Sequence, residues 1–306
     1  MSAESTGSAI LDQYRSISNK LKRRFLRKPN VTEACESFTV LGQHCEKEEL
    51  PTYAGLCWIA AAQCEGSLAN IPGETACLRR SAQQFLASEI KSVSLGCPTP
   101  SNENLSAALS CYAHATTRYP ENSQILAVNI HLEIVEALKK LKYTDKVEMY
   151  LKNAVKLSDN SLEMHLYCLE NLGGFYISCG DYVSALDIFT ELANLIESTP
   201  SNAARRDILL MCEINRVLML LILRPVPQSL SVDLTRILEK YTWNQKIDKS
   251  LSQLGMSDAF FLLLQSLVLT CQANDVTCTA HLENELWQFL NAQQKDLLRV
   301  LLQIYK

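Results

Sequence analysis

The chain has 306 residues, with 29 Lys and Arg against 33 Asp and Glu, so its formal charge of −4 gives no overall positive field to draw it onto nucleic acid. A hydrophobic fraction of 47% supplies a core and excludes disorder, while 10 Gly and 9 Pro are too few for the turns of an all-β or α/β fold. All-α is the class that remains, and the longest apolar run, around 217–223, falls far short of the roughly 20 residues that cross a bilayer.

Residues 1–9 are small and polar and read as a disordered tail. With no apolar leader run there, the cytosol or nucleus is the expected compartment. A first helix is expected from about 8 to 26, stopped by Pro29 because the residue before a proline avoids the helical region. Ile10, Leu11, Tyr14, Ile17, Leu21 and Phe25 form its single apolar stripe. The same period recurs in about thirteen further segments, broken by polar stretches such as 95–102, 119–123, 157–161 and 198–203, and no two-residue period appears over a useful length.

The segment 172–196 carries more than amphipathicity. Leu172, Gly173 and Tyr176 are followed by Gly180, Tyr182, Ala185 and Phe189, the pattern of a tetratricopeptide repeat. Gly173 and Ala185 would let two antiparallel helices approach closely, with Tyr176, Tyr182 and Phe189 filling the groove beside them. Weaker copies lie at Ala108, Tyr112, Ala115 and Pro120, and at Val147, Leu151 and Ala154. Such hairpins bury their apolar faces only by stacking, so the expected architecture is a tetratricopeptide-like α-solenoid of about 14 helices over residues 10–306. The second half continues with helices at 205–223, 229–240, 257–271, 275–290 and 292–305, the last opened by an Asn291/Gln294 capping box. Pro225 and Pro227 force an extended break near 224–228, read as a kink between two halves of one solenoid.

The twelve cysteines form no CxxC and sit in apolar helical stretches, as reduced interior thiols do. No phosphate loop, GxSxG or HExxH occurs, and His44, His114, His131, His165 and His281 are isolated from one another. No catalytic residue, cofactor or metal site is expected. The one charge anomaly is Lys20, Lys22, Arg23, Arg24, Arg27 and Lys28. It reads as a solvated helix end, a nuclear-import signal, a contact for anionic lipid, or a dock for an acidic protein surface. Phe25 and Leu26 among the cations favour the protein surface over simple electrostatic attraction. Tyr241 and Trp243 form either an exposed anchor or the closure of a helix groove.

Residues 14–31, YRSISNKLKRRFLRKPNV, closely resemble the N-terminal signature of the family of 40-kilodalton huntingtin-associated proteins. LEKYTW at 238–243, FFLLLQSLV at 260–268 and the CEINRV core of 205–223 agree with it. Only 199–204 stands where vertebrate members of that family carry a proline-rich insertion. The resemblance implies a non-catalytic adaptor whose partner is huntingtin, bound one to one between two HEAT-repeat lobes and steadied by the adaptor. It also implies a link to early endosomes through a Rab-type GTPase. On this reading the basic stretch docks on an acidic patch of the partner, and Asp275, Glu283 and Glu285 face a basic one. The alternative is a vesicle-fusion adaptor resembling the soluble attachment proteins, which are tetratricopeptide-like as well.

Overall fold

A computed structural model describes residues 3–22, 30–97, 101–120, 123–200, 202–226, 230–242 and 255–305. Among these residues there are fourteen α-helices and no strand. More than half of these helices open on a polar side chain that satisfies an orphan backbone donor. Asn30, Asn70, Asp181, Asn202, Ser231, Ser257 and Asn291 each accept from the N–H three residues on, at 2.8–3.4 Å. At Asn291 the Gln294 side chain returns the bond, completing the expected capping box.

Contacts divide the chain into two units, Met1–Ser161 and Leu162–Lys306. The division falls at 161/162, and the proline segment lies inside the second unit. The first unit holds α1 (Ala3–Leu21), α2 (Val31–Lys47), α3 (Pro51–Ser67), α4 (Ile71–Ser94), α5 (Glu103–Arg118), α6 (Gln124–Lys140) and α7 (Thr144–Leu157). α1 starts at Ala3, within the segment 1–9 expected as a disordered tail, and Gly7 lies buried beside the Tyr53 hydroxyl. The helix ends at Leu21, five residues short of the expected end, and 23–29 lie outside the described residues. Of the expected stripe, Ile10, Tyr14, Ile17 and Leu21 do pack on the core of α2 and α3.

Successive helices of this unit run antiparallel, as the cross-helix pairs show. Along α3 and α4, Thr52 meets Ser88, Gly55 meets Phe85, and Trp58 lies under Arg80. Along α4 and α5, Ser81 meets Cys111 and Glu74 meets Arg118. The interior is built from Phe38, Trp58, Phe85 and Tyr112 set among alanines, with Ala54, Ala61, Ala82, Ala108 and Ala115 fully buried or nearly so. Small residues bring the helix axes close, and the aromatic rings fill what remains.

The second unit holds α8 (Leu162–Cys179), α9 (Tyr182–Glu197), α10 (Ala203–Leu223), α11 (Val232–Glu239), α12 (Asp258–Ala273), α13 (Val276–Leu286) and α14 (Ala292–Ile304). Its centre is α10, buried without interruption from Cys212 to Ile222. Both α9 and α14 pack against α10, and the run is apolar from Val217 to Ile222, with Glu213, Asn215 and Arg216 buried ahead of it. The tetratricopeptide-like hairpin is α8–α9. A Cβ on Gly173 would lie 2.9 Å from the ring of Phe189, which is fully buried, so the two helices leave no room for a side chain at this position. After the helix end at Leu223, the Arg224 guanidinium covers the Tyr305 ring at 3.9 Å and donates to the Ile304 carbonyl.

One turn recurs at the C-terminal ends of α2, α3, α4, α6, α8 and α12. A residue with φ between 55° and 77° donates to the carbonyl three residues back, and the next N–H donates to the carbonyl five back. The left-handed residues are Glu49, Ala69, Gly96, Lys142, Gly180 and Asn274. Within each unit, successive helices pack pairwise in the manner of an α-solenoid.

Candidate interaction surfaces

Several carboxylates tie the helices together, each through more than one donor. Glu46 of α2 accepts from the indole N–H of Trp58 at 2.8 Å, from Arg80 at 2.6 and 2.9 Å, and from Gln84 at 3.1 Å. Arg80 also lies over the Trp58 ring, 4.3 Å from its centre. Glu133 of α6 binds Arg79 and Gln83 of α4 at 2.9 and 2.6 Å. Glu74, buried in the first turn of α4, pairs with Arg118 at 3.1 Å and lies 3.5 Å from His114. In the second unit, buried Glu213 holds Arg216 at 3.2 Å, Lys240 at 3.3 Å and the Tyr241 hydroxyl at 3.5 Å. These clusters are structural latches, since a buried carboxylate persists only where donors surround it.

Among the surface candidates, Lys20 and Lys22 are exposed at the end of α1, with the Lys20 ammonium 3.9 Å from Glu33. Arg23, Arg24, Phe25, Arg27, Lys28 and Trp243 lie outside the described residues. Tyr241 is not an exposed anchor. It is fully buried, stacked on Phe261 at 5.3 Å, and it closes the groove between α10, α11 and α12. Asp275 is exposed and accepts from the Cys278 N–H at the start of α13, Glu285 is exposed, and Glu283 is half-buried.

Among the described residues no three His, Cys, Asp or Glu side chains gather where they could hold a metal ion, and no helix is long and apolar enough to cross a membrane. Eight of the twelve cysteine thiols are buried. Burial pushes Cys35 and Cys212 up to about 12, far from the thiolate that nucleophilic chemistry needs. His131 is half-buried against Tyr150, and burial holds its imidazole below the usual histidine value.

The surface also carries large apolar side chains that sequence periodicity did not mark. Leu95, Val232, Val40, Val226 and Val183 are each more than half exposed. Single exposed aliphatics are ordinary, so position decides which of them matter. Val40 stands in an open trough of about 570 Å³ between α1 and α2, with Ile17 and Leu41 below it and Glu33 and Glu36 at one end.

No family model matches the chain. The chain is similar to the 40-kDa huntingtin-associated proteins of mouse and rat, each 31% identical over 352 aligned positions that take in 96% of this chain and 92% of the relative. The alignment is longer than the chain itself, so the relatives hold segments that it lacks. Similarity at this level, sustained over nearly the full length of both sequences, places the chain in the family of the 40-kDa huntingtin-associated proteins.

Proposed function

We propose that this chain is a non-catalytic scaffold that associates with huntingtin. The observation that carries the reading is similarity over almost the whole of both chains, since a helical repeat protein binds through surfaces spread along its length. The protein inserts between the HEAT-repeat lobes of its partner and steadies them, in a one-to-one complex found in the cytosol. A Rab-type GTPase connects that complex to early endosomes. Buried, elevated thiols, carboxylates saturated with donors and dispersed histidines support a binding role over chemistry.

The test is co-expression with and without huntingtin of the same organism, followed by size-exclusion chromatography. Co-elution at one-to-one stoichiometry with a sharply raised soluble yield is expected. Equal yields and separate elution would overturn the reading.

A further inference from the structure

The trough between α1 and α2 has a form and a charge that the latches leave unused. Its α1 ridge is Gln13 and, one helical turn further on, Ser16 and Ile17. Its α2 ridge runs from Glu33 to His44, about 16 Å at 1.5 Å per residue, the length of three helical turns. The floor is aliphatic: Leu41 is buried, Ile17 is half-buried, and Val40 rises from it 65% exposed. Among the described residues the ionisable groups on the lining are Glu33, Glu36 and His44, with no lysine or arginine. Lys20 reaches only the rim, 3.9 Å from Glu33, and Glu36 has no ion-pair partner among the described residues. An aliphatic floor with carboxylates at one end complements a helix that sets leucine-type side chains beside lysine or arginine.

We propose that this trough docks an amphipathic basic helix of about three turns supplied by a partner protein. Such a helix packs as a third member against the α1–α2 pair. Its aliphatic side chains cover Val40 and Ile17, and its cations meet Glu33 and Glu36. Helix and trough form an interface of modest area, so binding is weak to moderate and salt-sensitive. The inference stands apart from the huntingtin reading, because it is tested on the free chain with no huntingtin present.

The probe is a fluorescent 14-residue designed helix with leucine at i, i+4, i+7 and i+11 and lysine on the flanks, titrated into the full chain and followed by anisotropy. A counterpart carrying glutamate for lysine is the control. Saturable binding of the lysine helix is expected, with little binding of the glutamate one. Val40→Asp weakens it about tenfold or more, and Glu36→Lys weakens it about tenfold while flattening its salt dependence. Both positions are exposed, so the variants keep the helix content and melting point of the parent. Hydrogen exchange gives a second reading, expected to slow across 33–44 when the probe is added. No binding, or binding that neither variant changes, would overturn the proposal. So would saturable binding that appears only after Arg23, Arg24, Arg27 and Lys28 are all changed to serine, because the trough would then belong to the chain's own basic segment.

Discussion

A Cβ added at Gly173 shows how one atom sets the α8–α9 contact. Alanine is the better helix former by about 0.5–1 kcal/mol, but overpacking a fixed ring costs about 1–3 kcal/mol. Phe189 is fully buried, so a shift of its ring must displace packed neighbours, and the overpacking cost outweighs the helix gain. Gly173→Ala is expected to lower the unfolding midpoint in urea, and an unchanged or raised midpoint would show that the hairpin yields. His131 gives a second test at this scale. Its folded-state pKa lies below the ordinary 6.5, so the unfolded chain takes up the proton first as pH falls. The stability tied to the neutral imidazole is complete above that value and drains away as pH drops below it. A urea midpoint that declines from about pH 6.5 to about pH 5 in the parent is expected to decline less in His131→Leu. Parallel declines would assign the effect to other groups.

Helix-level behaviour turns on latches and turns. Replacing Glu213 with leucine leaves the Arg216 guanidinium buried without its carboxylate, which costs about 3–5 kcal/mol, and removes the acceptor that Lys240 and the Tyr241 hydroxyl share just after α11. Hydrogen exchange is expected to quicken across α11 before the rest of the second unit, and Arg216→Leu added to Glu213→Leu is expected to recover most of the loss. The recurrent turn offers the opposite sign. Ala69 holds a left-handed φ of 56°, a conformation that costs an L-residue about 1–2 kcal/mol, and Ala69→Gly is expected to raise the melting point. These elements also show what the sequence could reveal. Gly173 with Phe189, the fully buried Ala108, Val147 and Ala185, and the Asn291 cap were legible because each is a local pattern of size or polarity. The turn was not, because Glu49, Ala69 and Lys142 occupy positions where glycine would have announced it. The latches were invisible as well: Glu46 and Arg80 are 34 residues apart, and Arg79 and Glu133 are 54. Tyr241 directly follows Glu239 and Lys240 in the sequence, which left an exposed anchor and a groove closure equally open, but the fold turns it inward onto Phe261.

Across the whole molecule, the exposed aliphatics and the basic stretch bear on association. If the basic stretch docks on an acidic partner surface, reversing Arg23, Arg24, Arg27 and Lys28 should slow association about tenfold at low salt and far less at high salt. An association rate indifferent to both the reversal and the salt would assign the stretch to the solvated helix end instead.

The buried cysteines have a practical consequence. They are spread over α2, α3, α5, α8, α10 and α12, so six helices each carry at least one shielded sulfur. Cys97, Cys179 and Cys278 are exposed and will be alkylated at once, whereas each shielded sulfur waits for its own helix to open. Timed alkylation read peptide by peptide would rank the helices by how often they open, with no label to install and no residue to change. The natural chain thus carries a set of internal stopwatches, on which the grip of any bound partner can be read helix by helix.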